Sequence, residues 1–311
     1  SRTKRCLAYI HKGFISRGLN ILEGKGAVPV TGACRTQMQR KHPQGYNTWG
    51  TPEPREDGND IIDLSTKLKK AMKDLHPLVG VGPRGMKSAY IKALVECNFQ
   101  NTRAREAAET FERLGVLYLG GGMPPWLTRA LGGGLLTALA KEELPPGESP
   151  DSADARPTKA EDTDTASWCR ALQRRLTGAV MAIVAPQQLS VGVPGGCEIL
   201  VLGTRAKVDE ADRNDETKAL VLLDVKNAHN SYSRRKAQTA IREAANKQPD
   251  LHQLEVAHTS ISRPHTDIYT HDPATHRPTL LTQSSTGGGQ GNPLTNIIFP
   301  LTIAPALKKV E

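Results

Sequence analysis

"LVLLDVKNAHNSYS", Leu220 to Ser233, sets four apolar residues ahead of a single aspartate, Asp224, and then turns polar. The run predicts a buried strand, Leu220–Leu223, that delivers one carboxylate at its end. A carboxylate held rigidly at a strand end suits a divalent metal. A metal-binding catalytic site needs further ligands beside the first. The flanking sequence has to supply them.

Immediately upstream, "AKVDEADRNDETK" reads as a charged loop feeding the strand, and Ile199–Leu202 as a helix or a strand. Before these, "SWCRALQRRLTGAVMAIVA" has helical periodicity. Downstream, residues 234–246 read as helical and 249–283 as irregular with strand character. Asn292 and Pro293 are placed as N-cap and first residue of a final apolar helix. Nearer the N-terminus, helices are expected through Cys6–Leu22, from Ile61 onward with Ile62, Leu64, Leu68, Met72 and Leu75 on one face, from Met86, and over Arg103–Leu114. Residues 46–60 form a Pro-, Gly- and acid-rich linker. Residues 141–166 hold eight acids against three bases and read as an acidic surface loop. The expected organisation is a basic helical region with its linker over 1–60, followed by one α/β domain over 61–311.

The net charge is +9 and the pI about 9.3, and residues 1–45 carry nine Lys or Arg against one acid. That balance favours an anionic partner, nucleic acid foremost. Arg2, Lys4, Arg5 and Lys12 in the basic arm, and Arg170, Arg174 and Arg175 along one helix, are the candidate RNA contacts. Aromatic residues are 4% of the chain, which argues against a recognition surface built mainly on stacked rings. No apolar run reaches the ~18 residues of a membrane span, so membrane insertion is not expected. The five cysteines are scattered without a C-x-x-C pair, which points to reduced thiols in a reducing compartment. His258, His265, His271 and His276 fit no metal spacing and read as exposed loop histidines. The Gly-rich turn at 287–291 lacks the Lys-Ser/Thr of a Walker loop.

"LLDVKNAHNS" resembles the first palm motif of reverse transcriptases: an apolar strand ending in Asp, then three residues, Ala, a ring and Asn. "STGGGQGNPLTNIIFPLTIAPAL" is similar to their second palm motif, Gly-x-x-Gln-Gly-Asp-Pro-Leu with an apolar helix behind it. "RRLTGAVMAIVAPQQLSVGVPGGCE", "GPRGMKSAYIKAL" and "LLTALAKEE…ARPT" resemble three further blocks of the non-LTR retrotransposon group. Together the five segments run in family order from Val79 to Leu307. The resemblance implies a fingers-palm unit with a small antiparallel sheet, here incomplete. It implies Asp224 as a metal ligand and Lys141 and Arg156 as a triphosphate grip. It places His229 beside the incoming sugar, and Gln290 and Gly291 near the template base.

Four departures bear on function. His229 stands where the family has a larger aromatic ring, and Asn292 stands where it has Asp. Lys141 and Arg156 are separated by the acidic insert. No Asp-Asp pair follows Gly291, so the two-metal site lacks its second half within the sequence. The expectation is a reverse-transcriptase-derived, non-catalytic RNA-binding or scaffolding subunit of a ribonucleoprotein such as an organellar ribosome. Its partners would be structural or ribosomal RNA and protein subunits, in a mitochondrial or nuclear setting, with no resident cofactor. The alternative is a fragment of an active RNA-directed DNA polymerase that uses Mg²⁺ and whose missing acids lie on further sequence.

Overall fold

The computed structural model describes residues 2–11, 27–42, 55–75, 81–96, 102–141, 154–214, 217, 219–220, 224–262 and 265–309. They group into two compact units. The smaller comprises residues 1–40 and 137–158, the larger 41–136 and 159–311.

The smaller unit contains α1 (Arg2–Ile10), β1 (Ala27–Val28) and α2 (Gly32–Arg40). Strands β2 (Gly134–Ala140) and β3 (Ala155–Glu161) each begin in one unit and end in the other. β1 runs antiparallel to β2, with Ala27 opposite Leu139 and Val28 opposite Ala138. Lys141 and Asp154 join the ends of β2 and β3 through an ion pair at 2.5 Å and a backbone bond from Lys141 N–H. Gln37 of α2 donates to the Asp154 carboxylate at 3.0 Å and accepts from Ala155 N–H at 3.3 Å. The expected helix through Cys6–Leu22 is seen as α1; residues 12–22, including Lys12, lie outside the described set.

The larger unit is mostly helical: α3 (Gly58–Ile61), α4 (Leu68–Lys73), α5 (Ser88–Glu96), α6 (Thr102–Gly120), α7 (Pro125–Leu131), α8 (Thr163–Val184), α9 (Gly196–Arg213), α10 (Ala228–Ser231), α11 (Arg234–Ala245), α12 (His252–Ile261) and α13 (Thr295–Leu307). Two more strands, β4 (Thr266–His271) and β5 (Pro278–Ser284), pair antiparallel. α8 is the centre of the core. Trp168, Leu172, Leu176, Val180 and Val184 recur every fourth residue and are buried, forming one continuous apolar stripe. Each such side chain contributes about 1.5–3 kcal/mol by burial. Trp168 packs on Phe111 and Tyr118 of α6, and its indole N–H donates to Phe111 C=O at 3.1 Å. Gly115 makes room for it: a Cβ there would sit 2.4 Å from the indole ring. α4, α6 and α13 pack around α8, while α12 packs on α6 and α11.

Several expectations are corrected. The sheet is mixed rather than antiparallel, because the start of β2 pairs parallel with β4, Gly134 opposite Ile268. Parallel neighbours need a long crossover, and the helices between β3 and β4 supply it. The helix expected from Ile61 breaks into α3 and α4. The Asp63 carboxylate accepts from Ser65 N–H (2.9 Å) and its hydroxyl (2.7 Å), a local turn that competes with the helix. Residues 155–166 of the expected acidic loop are β3 and the start of α8; residues 142–153 lie outside the described set. Residues 206–213 of the expected charged loop are instead the second half of α9, held by pairs such as Lys207–Glu210 at 3.1 Å. The strand character expected within 249–283 is seen as β4 and β5, but the stretch also holds a 3₁₀ turn (Pro249–Leu251) and α12 where irregular structure was expected. Of the strand expected over Leu220–Leu223, only exposed Leu220 falls among the described residues, and it is not in a strand.

Candidate functional site

The turn that follows β5 joins the two motif-bearing stretches. Gly287 N–H donates to Tyr232 C=O (2.9 Å) and Gly288 N–H to His229 C=O (3.0 Å). The Asn230 side chain accepts from Gln290 N–H at 3.1 Å, and its carbonyl accepts from the Thr286 hydroxyl at 2.8 Å. Asn230 is itself oriented by Asn227, whose left-handed φ of 56° turns the chain into α10. The turn approaches so closely that side chains are excluded. A Cβ on Gly291, at φ 123°, would lie 2.2 Å from Lys159 C=O.

Two buried cations hold this turn, and neither was singled out from sequence. Arg234 opens α11 and is buried; its guanidinium donates to Gly287 C=O at 2.8 Å and, at 3.3–3.4 Å, to the carbonyls of Ser262, Ser284 and Thr286. Burial pulls its pKa down to about 10, so it remains charged at neutral pH. Lys159 of β3 pairs with Glu161 at 2.9 Å, donates to Gly132 C=O at 3.2 Å, and gives its backbone N–H to Gln290 C=O at 3.0 Å. Asn292 completes the group by donating to both Glu161 oxygens, at 3.0 and 3.1 Å. The readable signal was the i, i+2 spacing of Lys159 and Glu161, which puts both on one face of a strand. The expected acidic loop concealed it. Between these groups, Tyr232 and Thr295 line a cavity with room for about one water.

The other expected site residues are dispersed. Asp224 is exposed and is not in a strand. Among the described residues no group of three His, Cys, Asp or Glu stands together to hold a metal. Lys141 and exposed Arg156 belong to the smaller unit, whereas Asp224, His229, Gln290 and Gly291 belong to the larger. Gln290 and Gly291 are exposed at the turn. His229 is half-buried and stacked on Phe299, with ring centroids 5.7 Å apart.

Of the expected RNA contacts, Arg174 and Arg175 form ion pairs with Asp74 (2.9 Å) and Asp63 (2.7 Å), which fasten α8 to the segments around α4. Arg170 is partly buried. Lys4 is exposed on α1, which also carries Arg2 and Arg5. Of the four histidines read as exposed, His258 is in fact buried within α12, with Nδ1 2.6 Å from the Gln238 side-chain oxygen. No described helix is long and apolar enough to cross a membrane. Compared with known protein families and with curated proteins, the chain has no match.

Proposed function

We propose that the chain is a reverse-transcriptase-derived piece that binds RNA without polymerising, as a scaffolding subunit of a ribonucleoprotein. The observation that carries this reading is the use made of the polar groups at the family's working positions. Lys141, the expected triphosphate grip, is paired with Asp154. Asn292, in place of the family's acid, is bonded to buried Glu161. Asp224 stands exposed, and among the described residues no acidic group of the kind a two-metal centre requires stands beside it. The net charge of +9 supports a polyanionic partner.

The test is RNA retention beside primer extension. Asp224→Ala is expected to retain RNA within about twofold of the parent, because an exposed side chain outside a metal site carries no binding load. Neither protein is expected to extend a primer in Mg²⁺. Extension by the parent that Asp224→Ala abolishes would overturn the reading in favour of the polymerase. Failure of the parent to bind any RNA would overturn it altogether.

A further inference from the structure

On the larger unit, α8, the turn that follows it, α10 and α13 enclose a groove of about 420 Å³, within the range of small-ligand sites. Its chemistry is specific. Three carboxamides line it: Gln173 from α8, Gln188 from the turn and Asn296 from α13. The stacked pair His229 and Phe299 supplies an aromatic wall, with planes 21° apart. Among the described residues that line it there is no Lys, Arg, Asp or Glu. Burial lowers the His229 pKa, so the imidazole is neutral at pH 7. A phosphate or carboxylate placed here would meet no cation. The groove therefore suits an uncharged ligand.

The polar groups are also available. Gln188 Oε1 accepts from Ser190 N–H at 3.3 Å, and its Nε2 has no partner among the described residues. The Gln173 and Asn296 side chains likewise form no hydrogen bond among the described residues. The turn lies against α8 because Gly192, at φ 70°, passes close: a Cβ there would sit 3.0 Å from the Thr177 methyl. Carboxamides carry a donor and an acceptor side by side and match the edge of a base, and an aromatic wall offers it a face.

We propose that this groove takes one unpaired RNA base, stacked on the His229–Phe299 wall and read at its edge by Gln173, Gln188 and Asn296. The assignment rests on the RNA reading above and adds a base-specific subsite to it. A bound strand would keep its phosphates outside the groove, on cationic surface elsewhere.

The experiment compares two single strands of about 12 nucleotides, one ordinary RNA and one abasic throughout, on the full chain. The ordinary strand is expected to bind about tenfold more tightly, the scale of one stacked base. Asn296→Leu and His229→Ala are expected to remove that difference and leave abasic binding unchanged. The oligonucleotide comparison uses the unmodified chain, so it decides even if a variant misfolds. Equal affinity for the two strands, or a difference that both folded variants preserve, overturns the groove assignment and leaves the RNA reading standing. Failure of both strands to bind overturns the RNA reading itself.

Discussion

At the scale of single residues, Asn292 uses both ends of its amide. Its Nδ2 donates to buried Glu161, and its Oδ1 accepts from Leu294 N–H at 2.8 Å, closing the turn into α13. An aspartate could make the second bond and not the first. Asn292→Asp would set two carboxylates against the single Lys159 ammonium in a buried place. The variant is expected to lose about 3 kcal/mol at pH 7, the scale of a broken buried ion pair. The loss should shrink at pH 5, where a proton can settle on one of the two acids. Urea unfolding at both pH values measures this. Parent-like stability at pH 7 would mean that the Lys159–Glu161 pair does not depend on its amide partner.

Between α11 and α12, His258 makes the fold sensitive to acid. Burial first, and then Arg234, lowers its pKa to about 3 from the ordinary 6.5. The unfolded chain therefore binds a proton that the folded chain refuses. Stability is full above pH 6.5 and falls as pH drops toward 3, by roughly 2–3 kcal/mol between pH 6.5 and 4.5. His229 adds in the same direction, being half-buried with a lowered pKa. The Asp63 carboxyl, held low by Ser65, titrates below this window. His258→Gln is expected to flatten most of the slope in chemical denaturation; an unchanged slope would assign the acid sensitivity elsewhere. That helix also shows where the sequence could not be read. α8 was legible because one face carries the apolar stripe Trp168 to Val184 and the other is polar. α12 was not, because Gln253, Leu254, Glu255, Val256, Ala257 and His258 are all buried, so no period separates core from surface. Buried Glu255 is satisfied by Arg242, which donates to it at 2.8 Å. Pairing over long sequence distances was equally hidden: the junction of Asn230 with Gln290 could be expected only through the resemblance of the two motifs.

For the whole molecule, the excess of nine positive charges does not mark every cation as a contact. Arg84, Arg129, Arg174, Arg175 and Arg242 are each paired with a carboxylate within the larger unit. These pairs hold packed segments together, and the two expected contacts on α8 are among them. The N-terminal arm carries Arg2, Lys4, Arg5 and Lys12 close together in sequence with no acid before Glu23, and Lys4 is exposed. Binding that rests on phosphate neutralisation releases counterions, and log K falls with log salt by about 0.7 per contact on a single strand. Reversing all four charges to Glu should therefore weaken RNA binding and reduce the salt slope by up to about 3. Arg174→Ala with Arg175→Ala should leave the slope unchanged and lower stability by about 1 kcal/mol, because both pairs are partly exposed. Titration of RNA at several salt concentrations separates the two sets. An unaltered slope in the arm variant removes the arm from the RNA surface. A reduced slope in the α8 variant would show that its ion pairs open to phosphate when RNA arrives.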